Sequence, residues 1–169
     1  SYKHQAQLDM RMDDRLKQTA ADLLNDISEE ELAQAFCRLA DEPDCQEIAR
    51  QIVIQRSVQA ITETTQLVEI IFDAKGIDAK TWRQQRRSEK VSSLHPAART
   101  FQALRMLVND ELGCLRELLR VAPYCLRPGG RIGIISFHSG EDRIVKHSFR
   151  EGVRNGIYQS AAKDPIAPK

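Results

Sequence analysis

The residues best suited to chemistry stand in one run, Ile134-Ile135-Ser136-Phe137-His138-Ser139-Gly140-Glu141-Asp142-Arg143. An apolar, β-branched stretch gives way there to polar side chains, and in open α/β sheets ligands bind just outside the carboxyl ends of the strands. In that position His138 can act as a base or hydrogen-bond partner. Ser139 can cap the following helix or bring its N-terminus to a phosphate. The plainer alternative is a structural histidine beside a helix cap, and position alone does not choose between the two. Glu141 and Asp142 have a simpler account, because acidic side chains in a first helical turn complement the helix dipole.

A second group is Leu8-Asp9-Met10-Arg11-Met12-Asp13-Asp14, in which mixed Asp and Arg with flexible Met can line a pocket or form a solvated helix entry. A third runs from His95 to Arg105, where Arg99 and Arg105 flank a helix start and are suited to phosphate. Asn109, further along, falls beside core positions, which points to a polar network. Trp82, Arg83, Arg86, Arg87 and Lys90 join an aromatic to several cations, a pairing suited to RNA bases and backbone, although a solvated basic loop explains them as well. No Gly-rich phosphate loop, nucleophile elbow or metal-spaced His/Cys/Asp set occurs.

The elements that must position these residues are mostly helical. From Asp9 to Ala74 there is no glycine, and Pro43 is the only proline. Ser28-Glu29-Glu30-Glu31 reads as a capping box ahead of Leu32, Phe36 and Leu39. Ile48, Ile52 and Val53 mark a second amphipathic helix. Leu67, Ile70 and Ile71 mark a third, with Thr62 or Thr64 as cap and Gly76 beyond its end. Lys75 to Ser93 reads as a boundary or exposed arm. One long helix is expected after His95-Pro96, through Phe101, Leu104, Val108, Leu112, Leu115, Leu119 and Ala122, with Pro123 and Arg127-Pro128-Gly129-Gly130 ending it. Ile132-Gly133-Ile134-Ile135 then reads as a strand buried on both faces, and Ser139 with Asp142 as the cap of a helix whose inner face holds Ile144, Val145, Ser148 and Phe149. A single strand cannot pair its own ladder, so other strands must come from elsewhere. Residues 152–169 read as a loop or frayed tail.

Composition narrows the class. The chain has 169 residues, Lys+Arg 25 against Asp+Glu 24, 41% hydrophobic and 29% charged. A polyanion-coating role is excluded by that balance, and the proportions are those of an ordinary globular domain or a small pair. No run of about 18 apolar residues is present to span a bilayer, and the polar N-terminus is no signal peptide. The expectation is a soluble protein, cytoplasmic, or organellar if eukaryotic. Cys37, Cys45, Cys114 and Cys125 form no Cys-x-x-Cys pair and are expected to be reduced and structural.

Several of these segments together resemble one family. Leu8-Asp9-Met10-Arg11-Met12-Asp13, the run from His95 to Arg105, Val108-Asn109-Asp110-Glu111-Leu112, Arg127-Pro128-Gly129-Gly130-Arg131, and Ile135-Ser136-Phe137-His138-Ser139 followed by Glu141 to Lys146 are similar, in family order, to the bacterial and organellar small-subunit ribosomal RNA cytosine-N4 methyltransferases. The resemblance implies an α/β fold, with an inserted helical domain plus the C-terminal part of a Rossmann-like methyltransferase domain. In this chain 1–12 would end the first methyltransferase segment, 13–93 would be the helical insertion, 94–151 the returning segment and 152–169 a loop or tail. It implies S-adenosylmethionine as cofactor and small-subunit ribosomal RNA as partner. Residue chemistry together with motif location then makes Asp9, Asn109 and His138 the expected catalytic residues, orienting the amine or stabilising the departing proton, with Arg11, Arg99, Arg105, Ser139 and Arg143 toward substrate.

The departures carry their own expectations. The family's Gly-rich cofactor loop and first strands lie upstream of the position matching Ser1, so no cofactor-binding residue is assigned here and the isolated chain is expected to be inactive. Gln5-Ala6-Gln7 stands where the family usually has Asp-Gly-Pro, and Gly140 where Leu is usual. A shortened form, an incompletely read gene or a degenerate paralogue would each give this pattern. The alternative function is a non-catalytic RNA- or protein-binding relic. A homodimer or partner chain is expected to cover the strand edges that half a Rossmann domain leaves open.

Overall fold

The computed structural model describes residues 5–88 and 94–162, and the described residues form eight helices. They are α1 (Ala20–Asp26), α2 (Glu29–Ala40), α3 (Cys45–Val58), α4 (Thr64–Ala74), α5 (Ala79–Ser88), α6 (Ala98–Val108), α7 (Glu111–Cys125) and α8 (Ser139–Arg154). Two compact units result, residues 1–110 and 111–169.

In the first unit α2 starts on the capping box foreseen at Ser28, whose hydroxyl accepts from the Glu31 amide while the Glu31 carboxylate accepts from the Ser28 amide. It ends at Asp41, a left-handed residue with φ 48°. Helices α2, α3, α4 and α6 pack around Leu32, Phe36, Ile48, Ile52, Leu67, Ile71 and Leu104, all fully buried. The tight turn after α2 brings Cys37 and Cys45 to a Cα separation of 5.5 Å, and the two form a disulfide. The expectation of four reduced cysteines is corrected for this pair, because two helix ends meeting across a turn satisfy the bridging distance that linear spacing did not reveal. Cys114 and Cys125 are exposed and in no disulfide among the described residues.

Helix α4 is capped by neither Thr62 nor Thr64: Glu63 is the N-cap, in a reciprocal box with Gln66. Part of the arm is helix α5, started by the Asp78 carboxylate, which accepts the Thr81 amide at 2.6 Å. Trp82 meets His95 edge-on at 4.7 Å between centroids and Phe72 at 5.6 Å, so its ring is packed within this unit. Lys90 and the side chains of Arg86 and Arg87 lie outside the described residues. The single long helix after Pro96 is two helices, broken at Asn109-Asp110, where Asp110 takes φ 45°. α6 closes the first unit, since its Phe101, Ala103 and Leu104 are buried in that unit's core.

In the second unit α7 packs against α8. α7 does not end at Pro123 but runs on to Cys125, with Pro123 inside its last turn. The expected buried strand is not formed: residues 131–136 have no regular structure, and Ile135 is 84% exposed. Among the described residues nothing runs alongside to complete a ladder, and an unpaired strand has no hydrogen bonds to hold it. The only β pairing among the described residues is an antiparallel bridge, Gln7 with Glu63, in the first unit. α8 is longer than expected and includes Gly152. Beyond it the chain turns at Gly156 and seats Tyr158 against Phe149, so 152–158 is not a frayed tail.

Candidate functional site

The first unit holds one tightly built polar loop. Leu8 is 1% exposed, its amide donates to the Thr62 carbonyl at 2.9 Å, and its carbonyl accepts the Ala21 amide at 2.8 Å. The chain therefore leaves the core at a fixed point. Met10 follows in a left-handed conformation, φ 62°, which folds Arg11 back onto Asp9. Arg11 Nε donates to Asp9 Oδ1 at 2.7 Å and Nη2 to Oδ2 at 2.9 Å, a bidentate fork, while Nη1 reaches the Leu16 carbonyl at 2.8 Å. Those hydrogen bonds hold the Asp9 carboxyl down to about 2. Asp13 is lowered in the same way by Arg15, at 2.6 Å. Around these pairs lies an open depression of about 560 Å³, lined by Asp9, Arg11, Met12, Asp13, Asp14 and Arg15.

Asn109 locks this loop from the far side of the sequence. Its Oδ1 accepts the Met12 amide at 2.8 Å, and its Nδ2 donates to the Met10 carbonyl at 2.9 Å and to the Arg105 carbonyl at 2.8 Å. The polar network inferred for Asn109 is therefore real, and it joins two of the motif stretches. Chemically, Asp9 is a carboxylate at any physiological pH. It can accept hydrogen bonds from an amine or stabilise a cation, but it is too weak a base to remove a proton.

The arginines are distributed. Arg105 sits in the last turn of α6 and supplies the carbonyl that Asn109 uses. Arg99 is exposed and donates to the Asp41 carbonyl at 3.0 Å, closing the C-terminus of α2. That contact uses one edge of its guanidinium.

His138, Ser139 and Arg143 belong to the second unit. The cap of α8 is His138 and not Ser139. His138 has extended backbone, and its Nδ1 accepts the Glu141 amide at 3.3 Å while Glu141 Oε2 accepts the Phe137 amide at 2.8 Å. Ser139 is the first helical residue, and Asp142 pairs with Lys146 at 2.8 Å. The imidazole can lie back on the helix because residue 140 is glycine: a Cβ there would come within 3.2 Å of His138 Nδ1. His138 Nε2 is shielded from solvent and lies 3.2 Å from Glu141 Oε1 without hydrogen-bond alignment. Phe137, immediately before it, is 90% exposed.

Two polar features were not found from sequence. Glu42 is 2% exposed and is bonded by Lys75, with Thr100 at 3.4 Å. Arg56 donates to the Leu24 and Ile27 carbonyls at 2.6 and 2.7 Å, closing α1. Both lie in segments read only for their apolar stripe. Neither a lone Glu beside a proline nor an Arg off a helix stripe announces a tertiary partner. Among the described residues no three His, Cys, Asp or Glu side chains converge as metal ligands would, and no helix is long and apolar enough to cross a membrane.

Comparison with known proteins gives a consistent outcome. A family model described as the MraW methylase family matches residues 1–162. A protein of Crocosphaera subtropica named "Ribosomal RNA small subunit methyltransferase H" is 41% identical over 169 residues, 100% of this chain and 49% of the relative. Proteins of the same name from Synechocystis sp. and Nostoc sp. are 50% identical over 151 residues and 49% identical over 167. These alignments cover 89% and 98% of this chain, and 45% and 50% of the relatives. The chain thus spans about half the length of the curated relatives it matches.

Proposed function

Because the chain belongs to the MraW methylase family, we propose that this sequence serves S-adenosylmethionine-dependent methyl transfer to the N4 amine of a cytosine in small-subunit ribosomal RNA. The single observation that carries the reading furthest is the Asn109 bridge. It fixes the Asp9–Arg11 loop to the end of α6 by bonds to Met10 and Met12, joining two motif segments almost a hundred positions apart. Such bracing suits a group that must present an acceptor at a constant place.

In this reading Asp9 accepts a hydrogen of the exocyclic amine and balances the positive charge that develops there, consistent with its lowered pKa. Asn109 is a positioning residue for Asp9. His138, whose Nδ1 accepts the Glu141 amide and whose neutral ring therefore carries its proton on Nε2, orients the target base as a hydrogen-bond donor through Nε2, and the proton lost from the amine leaves to water. Arg11, Arg99, Arg105 and Arg143 position RNA phosphates, with Ser139 at the N-terminus of α8. The target base must be unstacked to be reached. Residues 13–93 act as the inserted helical domain and 94–151 as the returning part of a Rossmann-like domain.

The cofactor does not fit the depression at Asp9. Its adenosine needs an apolar slot, whereas Met12 is the one apolar side chain in that lining and Asp9, Arg11, Asp13, Asp14 and Arg15 make up the rest. No step is therefore routed through it. The same observation favours a second reading for the chain by itself, a non-catalytic RNA- or protein-binding relic. Calorimetric titration of the folded chain with S-adenosylmethionine separates the two. No binding supports the relic reading for this polypeptide, and micromolar binding removes it. Methyl transfer to small-subunit RNA, by a protein joining this sequence to a cofactor-binding segment, tests the first reading.

A further inference from the structure

Between α7 and α8 of the second unit lies an open groove of about 750 Å³. Its floor includes Leu119 and Ile144, and its cations come from both helices, Arg116 and Arg120 from α7 and Arg143 from α8. Glu151 is the only acid among the described residues lining it, and Arg154 engages that acid at 2.8 Å. Arg120 is held by Glu117. Among the described residues no carboxylate pairs with Arg116 or Arg143, so the groove carries uncompensated positive charge over an apolar base.

Tyr158 also lines the groove. Its ring lies on α8 at Gly152, where a Cβ would come within 2.4 Å of Tyr158 Cδ2, and it meets Phe149 edge-on at 5.7 Å. Its amide donates to the Gly152 carbonyl at 3.1 Å. So fixed, its hydroxyl is nevertheless buried with no hydrogen-bond partner among the described residues. A buried donor left unpaired is unfavourable, and an acceptor atom on a ligand would relieve it. At the rim Tyr124 is 86% exposed.

We propose that this groove binds single-stranded RNA, with a phosphodiester against Arg116 and Arg143, an adjacent base against Tyr124 and the apolar floor, and the Tyr158 hydroxyl donating to an RNA acceptor. Unpaired guanidiniums beside an exposed aromatic ring suit a ligand that alternates anions with flat faces. An acidic peptide supplies the anions but not the planes. The inference rests on the reading that this sequence acts on RNA, and it adds Arg116, Tyr124 and Tyr158 to Arg143, which that reading already assigns to RNA.

The test is fluorescence anisotropy of the full chain with a labelled mixed-sequence RNA of about ten nucleotides across a range of salt. Arg116→Ala is expected to weaken binding about tenfold and to reduce the salt slope by about one, and Tyr158→Phe to weaken it about fivefold without changing the slope. Photocrosslinking with 4-thiouridine is expected to mark peptides of α7 or the 155–160 turn. Unchanged affinity and slope in both variants, with unchanged circular dichroism, overturns the proposal. So does polyglutamate competing as well as RNA, or an absence of RNA binding by the chain. Methyl transfer found alongside unaltered RNA binding by Arg116→Ala overturns the groove alone. RNA binding lost in Arg116→Ala, with no cytosine methylation by a protein joining this sequence to a cofactor-binding segment, overturns the methylation reading and leaves the groove.

Discussion

Asn109 Oδ1 accepts the Met12 amide at 2.8 Å, so a side chain at the end of α6 fixes the backbone of a loop near the start of the sequence. The same amide group donates to the Met10 and Arg105 carbonyls. The Asp9–Arg11 pair is therefore held by the tertiary fold and not by its own short loop alone.

Asn109→Ala removes all three contacts and is expected to lower the stability of the chain by about 2 kcal/mol, the scale of losing several partly buried hydrogen bonds. Asn109→Asp keeps the acceptor for Met12 but sets a carboxylate oxygen against the Met10 and Arg105 carbonyls, so it is expected to be no more stable than Asn109→Ala. Urea denaturation of each variant measures this, and an Asn109→Ala midpoint equal to wild type would show that the bridge contributes nothing.

The Asp9 carboxyl stands at about 2, below the ordinary 3.8. Because the folded value is depressed, the contribution of this group is present above the unfolded value and is lost as pH falls through the folded one. Asp13, Asp22, Glu31, Glu47, Asp78 and Glu117 are lowered in the same sense by their own hydrogen bonds. Stability should therefore decline from about pH 4 down to about pH 2. Arg11→Ala should return Asp9 to the usual carboxylate range in a carboxyl 13C NMR titration. An Asp9 titration that does not move would remove Arg11 as the cause.

Much of the helical unit was legible because its signals are local. Ser28 and Glu31 announce a capping box, and Leu32, Phe36, Ile48, Ile52, Leu67 and Ile71 repeat at helical spacing and are buried as expected. What failed depends on partners distant in sequence. The break at Asn109-Asp110 is made by a left-handed residue and a side chain bonded to Met10, which periodicity does not register. Cys37 and Cys45 meet only because the turn after α2 folds back. Ile132 to Ile135 has the composition of a buried strand, but composition cannot provide the neighbouring strands that such a segment requires. For the site, Asp9, Arg11, Asn109 and Arg105 were all singled out, yet the sequence did not reveal that Asn109 serves as a brace.

Glu42 and Lys75 form a buried pair, and removing one partner leaves an uncompensated charge. Lys75→Met should cost about 3 kcal/mol, and adding Glu42→Gln should recover most of it, because the loss comes from the orphaned carboxylate. Thermal melts of the single and double variants decide this. A double variant no more stable than Lys75→Met would contradict it.

Gly152→Ala places a methyl group into the Tyr158 ring, with 2.4 and 2.7 Å approaches that the ring can relieve only by moving. The expected cost is about 1 to 3 kcal/mol, accompanied by faster proteolysis after Arg154 as the 155–158 turn is released. Limited trypsin digestion reads the second effect directly. An unchanged cleavage rate would mean that Tyr158 does not anchor the turn.

The most direct test of the account is nucleoside analysis by mass spectrometry of small-subunit ribosomal RNA. The RNA is incubated with S-adenosylmethionine and a protein joining this sequence to a cofactor-binding segment. N4-methylcytidine is expected, reduced at least tenfold by His138→Ala with folding retained. Methylation at another atom, or undiminished N4-methylcytidine from His138→Ala, would contradict it.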